Sequence, residues 1–318
     1  MNTTMTAPAL QAAGLRKSFG DTVALDGIDL SVAEGSVFAL LGPNGAGKTT
    51  TVQILSTLIP PDAGQVCVAG HDPARDPRAV RDAIGVTGQF SAVDNLLTGE
   101  ENLALMADLH HLGRDEGRRR ADELLEQLDL VDERRKPAAT YSGGLRRRLD
   151  LAMTLMGAPR IIFLDEPTTG LDPRSRRAVW GIVRGLVDRG VSIFLTTHYL
   201  EEADQLADRV ALLDHGKLIA EGTPDELKRR VPGGHVLLEF VDPAALDEAA
   251  RAFPGWSRDD DALTLAVPGD GAVGSLRELL GVLDRASVRV ERLSVHTPDL
   301  DDVFLALTGH ADHEGDSQ

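Results

Sequence analysis

The stretch SVFALLGPNGAGKTTTVQILSTL, residues 36–58, constrains this chain more than any other. Its opening is continuously apolar, which suits a strand buried on both faces, and its close spaces apolar residues as a helix does. Between them GPNGAGKT fits G-x-x-x-x-G-K-[ST] at Gly42, Gly47, Lys48 and Thr49. Strand, glycine loop and helix in that order make a phosphate cradle. Glycine lets the backbone turn without Cβ clashes, so the loop of Gly42, Pro43, Asn44, Gly45, Ala46, Gly47, Lys48, Thr49 and Thr50 can present N–H groups to an anion. Lys48 supplies a point charge, the Thr49 hydroxyl suits Mg²⁺, and the dipole of the following helix favours negative charge at its start.

A second apolar strand, RIIFLDEP, ends in Asp165 and Glu166. Open α/β sheets bind ligands at the carboxyl ends of their strands, so both acids are expected beside the loop. There Asp165 would hold Mg²⁺ and Glu166 would polarise the attacking water. A third strand, VSIFLTTH, would bring His198 to the same edge; taken alone, such a histidine is usually a structural residue. Gln89, in VTGQF, could reach the metal or the water from a loop. Phe19, in RKSFGD, could stack on an adenine ring, although a lone aromatic at a strand end also fits a core.

The rest of the pattern implies a large α/β domain and a small one. Residues 8–41 read as strands, and from PRAVRDAIGVTGQF through RRRADELLEQLDLV the pattern is mainly helical, as an insertion. Strands then alternate with helices, as a parallel sheet requires. Near KRRVPGGHV proline and glycine gather, and smaller elements follow, so the expected division is a nucleotide domain over residues 1–230, an α+β appendage over 231–309 and a polar tail over 310–318. The N-terminus lacks the basic region and apolar core of a secretion signal, and no apolar run reaches the roughly 18 residues of a membrane span. A cytoplasmic chain that meets membranes only through a partner is the expectation. Fifty acidic against 33 basic residues give a formal charge of −17, which disfavours nucleic acid. The single Cys67 cannot form an internal disulfide and reads as a small structural hydrophobe in the strand-like QVCVAG. Of the basic clusters, those at residues 118–120 and 134–136 read as solvated helix faces, whereas 146–148 and 174–177 flank motifs and leave open an interface.

The stretch YSGGLRRR, residues 141–148, repeats the phosphate-cradle grammar in a chain that already has one cradle. Taken with the other motifs it resembles the signature of the ATP-binding subunits of ABC transporters, a resemblance that covers residues 8–230. That family carries, in this order, a phosphate loop, a glutamine loop (Gln89), a signature of LSGGQ type, the metal-binding Asp with its catalytic Glu (Asp165, Glu166), an LD loop (Leu171, Asp172) and a switch histidine (His198). The resemblance implies a P-loop ATPase using ATP and Mg²⁺, with catalysis by Glu166, His198 and Lys48. It also implies a head-to-tail homodimer in which Ser142, Gly143 and Gly144 grip the γ-phosphate held by the other copy's loop. Tyr141 and Leu145 stand where Leu and Gln are usual, and Phe19 where tyrosine is common. GQFSAVDNLLTGEENL, LTTHYLEEADQLADRV and PDLDDVFLALTG look like the daunorubicin-resistance type. Its members drive export of amphipathic compounds through a separate ABC-2 class membrane subunit, working at the cytoplasmic face of the cell membrane, and carry a similar tail domain. The competing expectation, a soluble ABC machine acting on ribosomes or DNA, meets one phosphate loop, no cysteine pair and an acidic balance. A regulator that binds nucleotide without hydrolysis is disfavoured by Glu166 and His198.

Overall fold

The computed structural model describes residues 8–88, 92–231, 234–253, 255–269, 272–286, 288–296 and 298–308. The chain divides into two compact units, Met1–Pro224 and Asp225–Gln318. The division falls at the first residue of a short helix, ahead of the proline–glycine cluster near residue 231 that marked the expected boundary.

The first unit opens with an antiparallel hairpin, β1 (Leu10–Phe19) and β2 (Thr22–Val32). Next comes β3 (Val37–Leu41), buried at every residue, which runs through the glycine loop into α1 (Lys48–Leu55). Then β4 (Ala63–Val68) returns to the other side of β1, giving a three-stranded antiparallel sheet that includes Cys67. α2 (Pro77–Ala83), capped by Asp76, leads straight into β5 (Ile84–Thr87). The insertion comprises α3 (Gly99–Leu109), started by a Thr98–Glu101 capping box, and α4 (Arg114–Gln127), followed by α5 (Gly143–Leu155). The remaining elements are β6 (Ile161–Asp165), α6 (Pro173–Val187), β7 (Ser192–Thr197), α7 (Leu200–Leu206), β8 (Arg209–Asp214) and β9 (Lys217–Gly222).

A six-stranded sheet in the order β5-β6-β7-β3-β8-β9 organises the unit, parallel except for its edge strand β9. The segment beginning at PRAVRD is mainly helical, as expected, but it also holds β5, the far edge of this sheet; four residues are too few for a period to declare them. β1, β2 and β4 make a second, antiparallel sheet. β3, β6 and β7 carry apolar side chains on both faces because helices cover one side and the second sheet's core the other. Phe38 stacks on Phe194 at 5.6 Å between centroids, with Phe163 tilted against Phe194 at 5.7 Å. The parallel register Leu41↔Thr197 and Asp165↔Thr196 sets the ends of three adjacent strands at one edge of the sheet.

In the second unit, α8 (Pro224–Lys228) precedes β10 (His235–Glu239), α9 (Pro243–Ala252), β11 (Ser257–Asp259), β12 (Thr264–Pro268), α10 (Val273–Arg285), β13 (Arg292–His296) and α11 (Leu300–Thr308). Its antiparallel sheet runs β11-β12-β10-β13. Alternation along β10 and β12 aims Val236, Leu238, Leu265 and Val267 at a core completed by Leu246 and Ala249 of α9 and Leu279 and Leu283 of α10.

Candidate nucleotide site

At the C-terminal end of β3 the chain must turn in a tight space. A Cβ on Gly42 would lie 2.2 Å from the Leu213 carbonyl oxygen, and one on Gly47, at φ +110°, would lie 2.5 Å from that of Ala24. β8 and β2 therefore press the loop from two sides, and only glycine fits. The loop's outer rim differs: Pro43, Asn44 and Gly45 are exposed, and Gly45, at φ +84°, has nothing within 4 Å of a Cβ. Ala46 is buried and donates its N–H to Pro43 O at 3.2 Å.

Because the N-cap of α1 is Gly47, no side chain caps this helix. The first-turn N–H groups of Lys48, Thr49 and Thr50 have no intrahelical acceptor. Several unclaimed donors, the positive end of a helix dipole and an open rim make a donor set that fits phosphate oxygens. The Lys48 ammonium is buried and donates to the carbonyls of Gly42 and Pro43 at 2.7 and 3.1 Å. Burial lowers its pKa; the neighbouring charges of Glu166 and Asp165 oppose that shift.

Both acids stand where the strand register puts them. Asp165 ends β6, is buried, and accepts a hydrogen bond from Thr196 Oγ1. Its Oδ1 also lies 3.5 Å from the Thr49 hydroxyl. Glu166 takes a left-handed backbone conformation, φ 49°, unfavourable for a residue with a Cβ. Its N–H is held by Thr196 O at 3.1 Å and Thr196 Oγ1 at 3.2 Å, which fixes the turn. The turn carries the carboxylate back over the loop, with Oε1 3.7 Å from Lys48 Nζ. Oε2 accepts from Thr169 Oγ1 at 3.3 Å and lies 3.4 Å from His198 Nδ1. Lys48, Glu166 and His198 thus form a continuous row across the ends of β3, β6 and β7.

The oxygens of Thr49 and Asp165 suit a hard divalent cation. Among the described residues no group of three or more His, Cys, Asp or Glu side chains could hold a metal. A cation here would complete its shell with phosphate and water oxygens, the habit of Mg²⁺. Gln89 lies outside the described residues. Phe19, at the end of β1, is 51% exposed, with Lys17 Nζ 5.5 Å from its ring centroid. It is an exposed side chain and not a core residue.

The second cradle lies at the start of α5. Ser142 is the N-cap and accepts from Leu145 N–H at 3.3 Å; Ser142 and Gly143 are exposed. Gly144 is buried, and a Cβ there would lie 2.4 Å from Ser175 Oγ on the first turn of α6. That turn is capped by Asp172, which accepts from Arg174 N–H and Ser175 N–H at 3.0 Å each. The Ser175 hydroxyl and these two N–H groups hold the Asp172 carboxyl below the usual carboxylate range. Among the described residues no hydrogen bond or ion pair links Ser142, Gly143 or Gly144 to the loop of residues 42–50. One chain therefore carries a complete phosphate loop with its acids, and an exposed helix start that serves neither.

Sequence reasoning missed several supporting residues. Thr196 and Thr169 position the acids, and the visible signal is that β7 ends in two hydroxyls after an apolar run. The arginines after the signature turn inward: Arg147 lies 3.1 Å from Asp150 and donates to Gly88 O at 3.3 Å, while Arg148 pairs with Asp129 at 3.0 Å. Beneath the sheet edge, buried Glu202 accepts from Trp180 Nε1 at 3.0 Å. Burial pushes its carboxyl pKa up, against the hydrogen bonds it accepts.

Comparison with known proteins follows the same outline. The family model described as ABC transporter matches residues 25–169. A daunorubicin resistance ATP-binding protein, DrrA3, of Streptomyces coeruleorubidus is 50% identical over 303 residues, which is 95% of this chain and 96% of the relative. The daunorubicin/doxorubicin resistance ATP-binding protein DrrA of Streptomyces peucetius is 47% identical over 98% of this chain and 95% of its own length. Nod factor export ATP-binding protein I of Rhizobium sp. (strain N33) is 36% identical over 96% of this chain and 98% of its own length. Among solved structures, an ATP binding subunit of an ABC transporter superposes with a TM-score of 0.63 at 28% identity, over 70% of this chain and 92% of that one.

Proposed function

We propose that this chain, which belongs to the ATP-binding subunits of ABC transporters of the daunorubicin-resistance type, closes head to tail with a second copy around ATP and Mg²⁺ and so drives efflux of an amphipathic compound. ATP binding and hydrolysis are the activity of the family. The finer reading assigns the first unit to that activity and the second to an accessory role. A separate membrane subunit of the ABC-2 class would carry the compound, because among the described residues no helix is long and apolar enough to cross a membrane. That partnership would hold this chain at the cytoplasmic face of the membrane. Daunorubicin and doxorubicin, named for the relatives, are the first compounds to try.

Within this reading the loop from Gly42 to Thr50 binds the phosphates and Phe19 stacks on the adenine. Lys48 exchanges its two loop carbonyls for phosphate oxygens, so its charge remains compensated. Thr49 and Asp165 would hold Mg²⁺, with Gln89 as a further ligand, and the ion would neutralise phosphate charge. Glu166 Oε2 accepts the proton of the attacking water, and His198, 3.4 Å away, holds that carboxylate in place. Ser142, Gly143 and Gly144 of the partner subunit would supply the missing side of the cradle. A single observation carries this reading: the row Lys48–Glu166–His198 is complete on one chain while the exposed start of α5 has no role there.

The test is drug accumulation in a susceptible host expressing the chain with its membrane subunit. The wild-type pair is expected to lower accumulation and Glu166→Gln to abolish the effect, with ATP still bound and turnover down about 10²–10⁴-fold. Normal turnover by Glu166→Gln would remove Glu166 from the chemistry.

A further inference from the structure

The second unit carries a stripe of side chains that its own core leaves out. On α10, Leu279 and Leu283 enter the core, yet Val273 is 72% and Leu280 49% exposed. Val273, Leu276, Arg277, Leu280, Gly281 and Asp284 together line a shallow groove along this helix. Val273 and Leu280 are seven residues apart, as are Arg277 and Asp284, so each pair shares one face. Seven residues span about 10.5 Å of helix, too far for Arg277 and Asp284 to pair with each other. Both are exposed, and among the described residues neither side chain has an ion-pair partner.

We propose that two copies of this chain pair through α10, antiparallel, about a two-fold axis passing between Leu280 and Gly281. Positions equidistant from such an axis meet. Arg277, three residues before Leu280, then faces Asp284 of the partner subunit, three residues beyond Gly281, and the symmetric pair forms on the other side of the axis. Leu280 lies over Gly281 of the partner subunit. That contact needs a residue without a Cβ, and at Gly281 the nearest atom to a Cβ would be Arg285 Nη1, 3.6 Å away, the far end of a flexible side chain.

Charge selects this arrangement over its rivals. A parallel pairing would set Arg277 against Arg277 and Asp284 against Asp284, which repel. A lipid surface calls for a broad apolar face bordered by Lys and Arg. This helix instead has a narrow stripe with Arg277 and Arg285 balanced by Glu278 and Asp284. One helix pair buries less than the roughly 1,000 Å² of an independent stable interface, so the contact is weak alone and gains strength where two copies are already held near each other. It does not depend on the nucleotide-bridged dimer.

Disulfide trapping on the full chain tests the pairing. Cys67→Ser removes the only cysteine. In that background, Leu280→Cys places two thiols beside the axis, and Glu278→Cys, on another face of the helix, reports random collision. Under mild oxidation Leu280→Cys is expected to form covalent dimers at least about tenfold faster than Glu278→Cys. Adding Arg277→Asp or Asp284→Arg alone should erase that advantage, and adding both should restore it, because the swapped charges again oppose each other. Equal rates for the two cysteines, or no recovery in the double swap, would overturn the proposal. Measured without nucleotide, when no nucleotide-bridged dimer forms, Ser142→Arg should leave the Leu280→Cys rate unchanged, so the two ideas fail separately.

Discussion

Two helix starts in the first unit look alike in sequence and differ in structure. α1 begins at Gly47, which offers no side chain, and its donors open onto Lys48, Asp165, Glu166 and the Thr49 hydroxyl. α5 begins at Ser142, whose hydroxyl caps its own helix, and its nearest neighbours are Leu171 and Ser175, which bring no cation and no base. The same grammar of small residues before a helix thus sets one helix start among a buried lysine and two acids and leaves the other with neither, in line with the proposed roles of loop and trans platform. What separates them is the sheet. α1 follows the central strand β3, which lies beside β7 with its histidine and one strand further from β6 with its acids, whereas α5 follows the insertion and meets the sheet only from its side.

Mixing variants would break this comparison most sharply. Lys48→Ala disables the loop of its own chain, and Ser142→Arg disables the platform it lends to another. Each alone should lose at least about 10²-fold in turnover, as removal of one transition-state donor commonly does. Mixed, they form dimers in which one site carries both defects and the other carries neither. ATPase activity of the mixture should therefore rise well above that of either variant; no gain on mixing would mean that platform and loop act within one chain. A smaller effect is expected for Thr196→Val, which removes a hydroxyl that donates to Asp165 and accepts from the Glu166 N–H. Leaving a buried carboxylate short of a donor costs about 1–3 kcal/mol. A fall in Tm with a five- to hundredfold loss of turnover is the expected outcome, whereas unchanged values would mean the left-handed turn at Glu166 holds itself. ATP binding through α1 should survive, since its donors belong to the backbone.

The smallest effect concerns pH. Burial raises the Glu202 carboxyl above the ordinary glutamate value of 4.5, so just above that pH the folded chain holds a proton that the unfolded chain has released. Stability from this group is fully present below pH 4.5 and is lost as pH rises through the raised folded value. Glu202→Gln keeps an oxygen for Trp180 Nε1 and removes the titration. Its Tm should gain on that of the wild type as pH rises from 4.5, and parallel curves would show that Glu202 does not titrate with folding.

What could be read in the sequence follows from how narrowly each position is constrained. The loop was legible because Gly42 and Gly47 face backbone oxygens at distances no Cβ tolerates, so the fold forces the residue type. Asp165, Glu166 and His198 were legible because strands buried on both faces end abruptly in charge. β5 and β11 were not, because four and three residues show no period. Thr196 was hidden because a hydroxyl in a strand reads as filler until its partner is known. Arg147 was misleading, since an arginine in a helix suggests an exposed face, and only tertiary packing brings Asp150 and Gly88 O to meet it. The stripe on α10 could not be found from periodicity, which marks a core face and says nothing about a second apolar line beside it.

Light scattering on size-fractionated Glu166→Gln, with and without Mg·ATP, tests most directly whether the second cradle completes another chain's site. The chain should pass from monomer to dimer when Mg·ATP is added, and the added change Ser142→Arg should return it to monomer while nucleotide stays bound. A dimer that forms equally well with Ser142→Arg, or a monomer that persists with nucleotide bound and the membrane subunit present, would contradict the shared site.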